Sequence, residues 1–200
     1  MLVTDRKVCD DLLWAVERAL QGGIRLVQLR ERDLSAQDLL TLARKLREMT
    51  KEWEAMLLVN DRVDVALLSE ADGVHLGEAA LSVADARKLM PSGALITAAA
   101  HSVERARFAA QSGASAVVLG TIFPTDSKPG IEPAGLSLLQ AAVASMTVPV
   151  YAIGGIDRDK VPAVLKTGAY GVAVIRAVLA QNDPLIAARE LQEAVQAYCG

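Results

Sequence analysis

The chain of 200 residues has few of the side chains that staple small folds or hold structural metals. It contains two cysteines, Cys9 and Cys199, and two histidines, His75 and His101. The cysteines lie near opposite ends, in no metal or redox spacing, which implies free thiols in a reducing compartment. Neither histidine has a third ligand at suitable spacing, which argues against zinc. The apolar runs are too short to span a bilayer. MLVTDRKV carries charge where a signal peptide needs an apolar stretch, so a cytoplasmic location is expected. Basic residues are not in excess: 21 Lys and Arg against 24 Asp and Glu, a net charge of -3, speak against a nucleic-acid partner. Low-complexity segments and linkers are also lacking, so 1–200 reads as one domain.

What is present is a period. Short β-rich runs fall at 2–4, 24–29, 55–60, 73–76, 94–99, 116–122, 149–154 and 171–175. Between them lie segments with apolar residues at helical spacing, and 183–199 reads as a closing helix with Asp183 as N-cap and Pro184 at its first position. Strand–helix alternation implies a parallel sheet covered by helices. Eight units in this length predict a closed (β/α)8 TIM barrel, with an open doubly wound sheet as the alternative. Glycines before several strands, at 22–23, 73, 113 and 168, read as helix C-caps.

In such a barrel the chemistry sits on the loops after the strands. Gly154 and Gly155 would let the backbone approach an anion, and Ile175 and Arg176 follow strand eight; together they form a candidate phosphate site, or else the glycines are a tight turn. Gln28, Arg30 and Arg32 would share one face of an extended segment and suit a planar or anionic ligand; the alternative is surface ion pairs such as Arg30–Glu31. Asn60 and Asp61 could hold a Mg2+-bound diphosphate or could cap the next helix. His75 and His101 are either acid–base groups or rim imidazoles that stiffen loops. GTIFPTDSKPG, at 120–130, ends an apolar strand in Thr121, Thr125, Asp126, Ser127 and Lys128, a pattern that fits an anion-binding loop. The Pro and Gly content of 123–135 fits a lid over substrate.

VQLRERD, VNDRVDVAL, ADGVHLG, the His101-Ser102 pair, GTIFPTDSKPG, VYAIGGI and GAYGVAVI together resemble the thiamine phosphate synthase and TenI family, in order and over nearly the whole chain. The resemblance implies the (β/α)8 fold, a homodimer or larger assembly, and binding of a thiazole phosphate around Gly155, Ile175 and Arg176. It also implies one of two activities. The synthase joins aminopyrimidine diphosphate to thiazole phosphate with Mg2+ and releases diphosphate. TenI-type members aromatise a thiazole carboxylate phosphate tautomer by moving a proton and need no cofactor.

Individual residues divide between the two. Gln28, Arg30, Asn60, Asp61, His75, Thr125, Ser127 and Lys128 match synthase positions, with Asp61 as its first Mg2+ aspartate. Against this, Ala80 stands where the synthase keeps its second metal aspartate, Glu78 where it has glutamine, Ala99 where it has serine, and Arg32 where it has lysine. The spacing of KPGIEPAGLSLL is that of TenI. Yet Thr121 stands where TenI has its proton-transfer histidine, and a threonine hydroxyl is too weak a base to replace it unaided. The expectation leans to a TenI-like tautomerase in which His101, His75 or Glu78 moves the proton. The alternatives are a synthase with a modified Mg2+ site and a non-catalytic regulatory binder of thiazole or thiamine phosphate.

Overall fold

The structure is a computed structural model that describes residues 1–127 and 130–199. Eight strands are ordered in sequence: β1 (Leu2–Val3), β2 (Leu26–Leu29), β3 (Met56–Asn60), β4 (Gly73–Leu76), β5 (Leu95–Ala100), β6 (Ala116–Gly120), β7 (Val150–Ile153) and β8 (Gly171–Ala173). All neighbours are parallel. The sheet closes on itself: Val3 N donates to Val174 O at 2.9 Å, and Leu2 bridges Val174. Closure leaves no free edge, so the barrel is the observed fold and the open doubly wound sheet is not.

The helices are α1 (Leu12–Gln21), α2 (Ala36–Glu52), α3 (Val63–Leu68), α4 (Val83–Leu89), α5 (Val103–Gln111), α6 (Gly135–Ala144), α7 (Val161–Leu165), α8 (Arg176–Leu179) and α9 (Pro184–Cys199). Several starts are set by side chains. Asp11, Ser35, Ser82 and Ser102 accept from the backbone three residues on, each satisfying an orphan N–H for about 1 kcal/mol. Asp183 caps α9 as expected, accepting from Leu185 N at 3.0 Å.

Strand alternation sorts the residues into two layers. Leu2, Val27, Leu29, Leu57, Val59, Val74, Ile96, Val117, Leu119 and Val150 face the helices and form the main core. Val3, Val118 and Ala173 pack inside the barrel with Tyr151 and Ile153 against them. This smaller cluster fills the barrel and becomes the floor of the site.

Several element boundaries differ from expectation. The sixth strand stops at Gly120 rather than 122, and the eighth at Ala173 rather than 175, because the chain turns onto the rim there. The four-residue α8 was not predicted. Gly113 and Gly168 have the left-handed backbone expected of helix ends. Gly73 does not: it lies in β4, where a Cβ would fall 1.8 Å from Leu95 O, and Glu70 takes the left-handed position after α3 at φ 54°.

Candidate active site

A cavity of about 200 Å³ opens at the carboxyl ends of the strands. Its floor is Val3, Val118, Ile153 and Ala173. Its walls bring together residues from seven loops or strand ends, and 14 positions picked out from the sequence line it: Gln28, Arg30, Arg32, Asn60, His75, Glu78, His101, Thr121, Thr125, Ser127, Gly154, Gly155, Ile175 and Arg176. Ala99 lines it as well. Asp61 lies just behind this wall, and Lys128 lies outside the described residues.

One wall is an ordered polar relay. Gln28 on β2 donates from Nε2 to Asn60 Oδ1 on β3 at 2.9 Å. Asn60 Nδ2 donates to Asp61 Oδ2 at 2.8 Å, and Asp61 Oδ1 accepts from Gly77 N, after β4, at 2.7 Å. Asp61 holds this place with a left-handed backbone, φ 59°. The alternative role of these two residues as helix caps is thereby corrected. The residue before α3 is Arg62, with no side-chain capping bond, and Asn60 and Asp61 are engaged across the strands instead.

Arg30 and Arg32 stand on the same wall. Arg30 is half-buried, and burial, followed by the charge of Arg32, pulls its pKa down, while Asp5, Asp61 and Glu31 pull it up. The expected alternative of an Arg30–Glu31 ion pair is also corrected. Glu31 is buried and pairs with Arg6, at 3.1 Å from the guanidinium and 3.1 Å from the backbone N. Thr4 Oγ1 accepts from Arg30 N at 2.8 Å, which fixes the backbone that carries Arg30 into the cavity.

His75 lies inside β4, with Nδ1 2.9 Å from Thr97 Oγ1 on β5. Burial pushes its pKa down to about 4, with Asp61 opposing and Arg30 and Arg32 assisting. It is neutral near pH 7 and a weak base there. His101, after β5, meets Glu78, after β4, at 3.0 Å between Nδ1 and Oε1. The hydrogen bond to His101 is the main cause of a lowered Glu78 pKa, so the carboxyl is ionised over the neutral range.

The opposite wall is backbone. Gly154 and Gly155 have φ of 107° and 62°, and a Cβ on Gly155 would fall 2.2 Å from Pro124 O. Here glycine serves a left-handed turn and a close loop–loop approach at once. The loop after β6 is tied down at its base: Phe123 N donates to Gly154 O at 3.0 Å and Ala134 N to Thr121 O at 2.8 Å. Arg176 begins α8 on this wall, its Nε 3.7 Å from Asp126 Oδ2.

Thr97 was not picked out as a site residue. A hydroxyl at an inward-facing position of an apolar strand was the available signal for Thr97. Among the described residues no group of three His, Cys, Asp or Glu could hold a metal. Ala80 offers no ligand, and Glu78 is drawn to His101. Asp61 retains a lone pair on each oxygen beyond its two hydrogen bonds. One carboxylate suits a Mg2+ ion that takes most of its ligands from a bound anion and water, a common pattern for that cation.

A closed eight-stranded parallel barrel with this cavity at the carboxyl ends of its strands belongs to the TIM-barrel enzymes. The sequence narrows this. The family model described as thiamine monophosphate synthase matches residues 1–178, and the chain belongs to that family. A protein of Geobacter sulfurreducens is 47% identical over 95% of this chain and 91% of its own length. The thiamine-phosphate synthase of Clostridium novyi is 41% identical over 91% of each. The solved thiamine phosphate pyrophosphorylase of Pyrococcus furiosus superposes with a TM-score of 0.92 at 37% identity, covering 100% of this chain and 96% of that one.

Proposed function

We propose that this chain is a thiamine-phosphate synthase: it joins the methylene of an aminopyrimidine diphosphate to the ring nitrogen of a thiazole phosphate and releases diphosphate. The observation that carries this reading is the Gln28–Asn60–Asp61–Gly77 relay, joined by hydrogen bonds of 2.7–2.9 Å at the cavity wall. The names of the relatives point the same way.

The residues divide the work by chemistry. Gln28 donates one amide hydrogen to Asn60 and presents its carbonyl oxygen to the exocyclic amine of the pyrimidine. Arg30, Arg32, Thr125 and Ser127 donate to the diphosphate, and the two guanidiniums stabilise the charge that builds as the C–O bond breaks. Asp61 would hold a Mg2+ ion, which would supply further neutralisation of the leaving group. Gly154, Gly155, Ile175 and Arg176 take the thiazole phosphate through backbone N–H groups and one guanidinium, with the ring over the apolar floor. Both substrates then meet without intervening water, which is where most of the rate gain of such a condensation arises.

Asp61→Asn tests this reading. Thiamine phosphate formation should fall roughly 100-fold or more, with thiazole phosphate binding retained. An Asp61→Asn protein as active as the native one at equal Mg2+ would overturn it.

A second reading, isomerisation of a thiazole phosphate tautomer by proton transfer, is favoured by Ala80 in place of a metal carboxylate and by the Glu78–His101 pair at the cavity wall.

A further inference from the structure

A second cavity, of about 470 Å³, lies between the turn that leads from β1 into α1 and the turn that joins α8 to α9. It shares no lining residue with the cavity at the strand ends. Short α8 stands between them: Arg176 and Ala177 line the first cavity, Leu179 the second. The two differ in charge. The first is lined by Arg30, Arg32 and Arg176. The second is lined by Asp10 and Asp11 and by no lysine, arginine or histidine. The basic side chains close by in sequence are already paired: Arg6 with Glu31 and Asp33, Lys7 with Asp33, and Arg18 with Asp183. Asp11 accepts from Trp14 N at 3.0 Å through one oxygen and leaves the other unused. The Cys9 thiol on the cavity wall senses the same field. Burial first, then the charges of Glu31, Asp5, Asp10 and Asp11, push its pKa up.

Apolar surface completes the cavity. Ala15 and Leu179 are buried in it, and Trp14 is half-exposed beside the carboxylates. The core does not need this indole, because α1 buries Leu12, Ala15, Val16, Ala19 and Leu20 on its other face. An aromatic face next to uncompensated negative charge attracts an organic cation. A hard metal ion is poorly served: it needs more oxygen ligands, and among the described residues no group of three His, Cys, Asp or Glu could hold one. A phosphate would meet only repulsion.

We propose that this cavity is a second binding site, and that its ligand is a phosphate-free heteroaromatic cation such as a thiazolium or pyridinium, stacked on Trp14 with its charge beside Asp10 and Asp11. The volume lies in the range of small-molecule sites. This holds whichever reaction the first cavity runs.

The test titrates the full chain with N-methylisoquinolinium and, separately, with isoquinoline in mildly alkaline buffer, where isoquinoline is uncharged. Calorimetry reads affinity, and the indole N–H signals in NMR read the place. The chain has two tryptophans, and Trp53, at the end of α2, is the internal control. The Trp14 signal should move with the cation and the Trp53 signal should not. The cation should bind roughly tenfold more tightly than its neutral analogue, by a margin that shrinks as salt is added. Trp14→Leu and Asp10→Asn should each weaken binding about 3- to 10-fold. Both residues are exposed and neither caps a helix, and a thermal melt verifies that each variant is folded. Equal affinity for the two probes would reduce the cavity to an apolar groove and overturn the proposal. So would an unmoved Trp14 signal, no binding of either probe, or affinity unchanged in both variants. Displacement of the cation by inorganic diphosphate would place it in the first cavity and overturn the proposal as well.

Discussion

His75 shows how a single side chain can tie stability to pH. It is neutral inside the barrel, with Nδ1 at Thr97 and a pKa pushed down to about 4. Unfolded, it returns to its ordinary value near 6.5. Between those values the unfolded state binds a proton that the folded state does not, so stability rises with pH across the window and is lost as pH falls. The contribution is on the order of 1–3 kcal/mol between pH 7 and pH 4. Denaturant melts of the native protein and of His75→Gln at several pH values check it: the variant should show a shallower decline on the acid side. Gly155 acts through space instead. Gly155→Ala puts a Cβ against Pro124 O in a left-handed backbone, at a cost of about 1–3 kcal/mol. It should weaken thiazole phosphate binding more than a surface change of equal cost, because the loop after β6 must move to admit the methyl. Isothermal titration beside a thermal melt separates the two effects.

At the scale of elements, the strand and helix alternation was legible because parallel strands buried on both faces read as apolar runs and the helices keep a 3.6-residue stripe. The rim was legible because polar groups at the ends of apolar strands stand out, as in LVQLR and LVND. What the sequence left open was direction. Asn60 and Asp61 suit a cap and a ligand site equally by spacing. Only the register that pairs Asn60 with His75, and so brings Gly77 N to Asp61, decides between them. Glu31 likewise looks like the partner of Arg30 until the turn after β1 delivers Arg6 from 25 positions away. Short α8 escaped notice because four residues carry no period. On the opposite end of the barrel, Arg47 of α2 grips Asp72, before β4, at 2.8 and 3.1 Å, and Asp72 also accepts from Leu57 N at 2.7 Å. Asp72→Ala should therefore cost about 2–3 kcal/mol, the range for charged hydrogen bonds partly shielded from water. It should leave ligand affinity at the far rim unchanged, which a melt and a thiazole phosphate titration together would check.

For the whole molecule, the barrel places a cationic wall, an apolar floor and a glycine-rich wall around one cavity. Ala80 is the sharpest point of difference. If the cavity runs the Mg2+-assisted condensation on a single carboxylate, Ala80→Asp should add a ligand and lower the Mg2+ concentration needed for half-maximal rate by roughly tenfold. A rate curve unchanged by the new carboxylate would mean that Mg2+ does not bind near this turn. The most direct test of the account mixes the purified chain with aminopyrimidine diphosphate, thiazole phosphate and Mg2+ and follows the products. Thiamine phosphate and diphosphate should form in equal amounts, at a rate that depends on both substrates. Thiazole phosphate bound tightly, with no diphosphate released at any Mg2+ concentration, would contradict it.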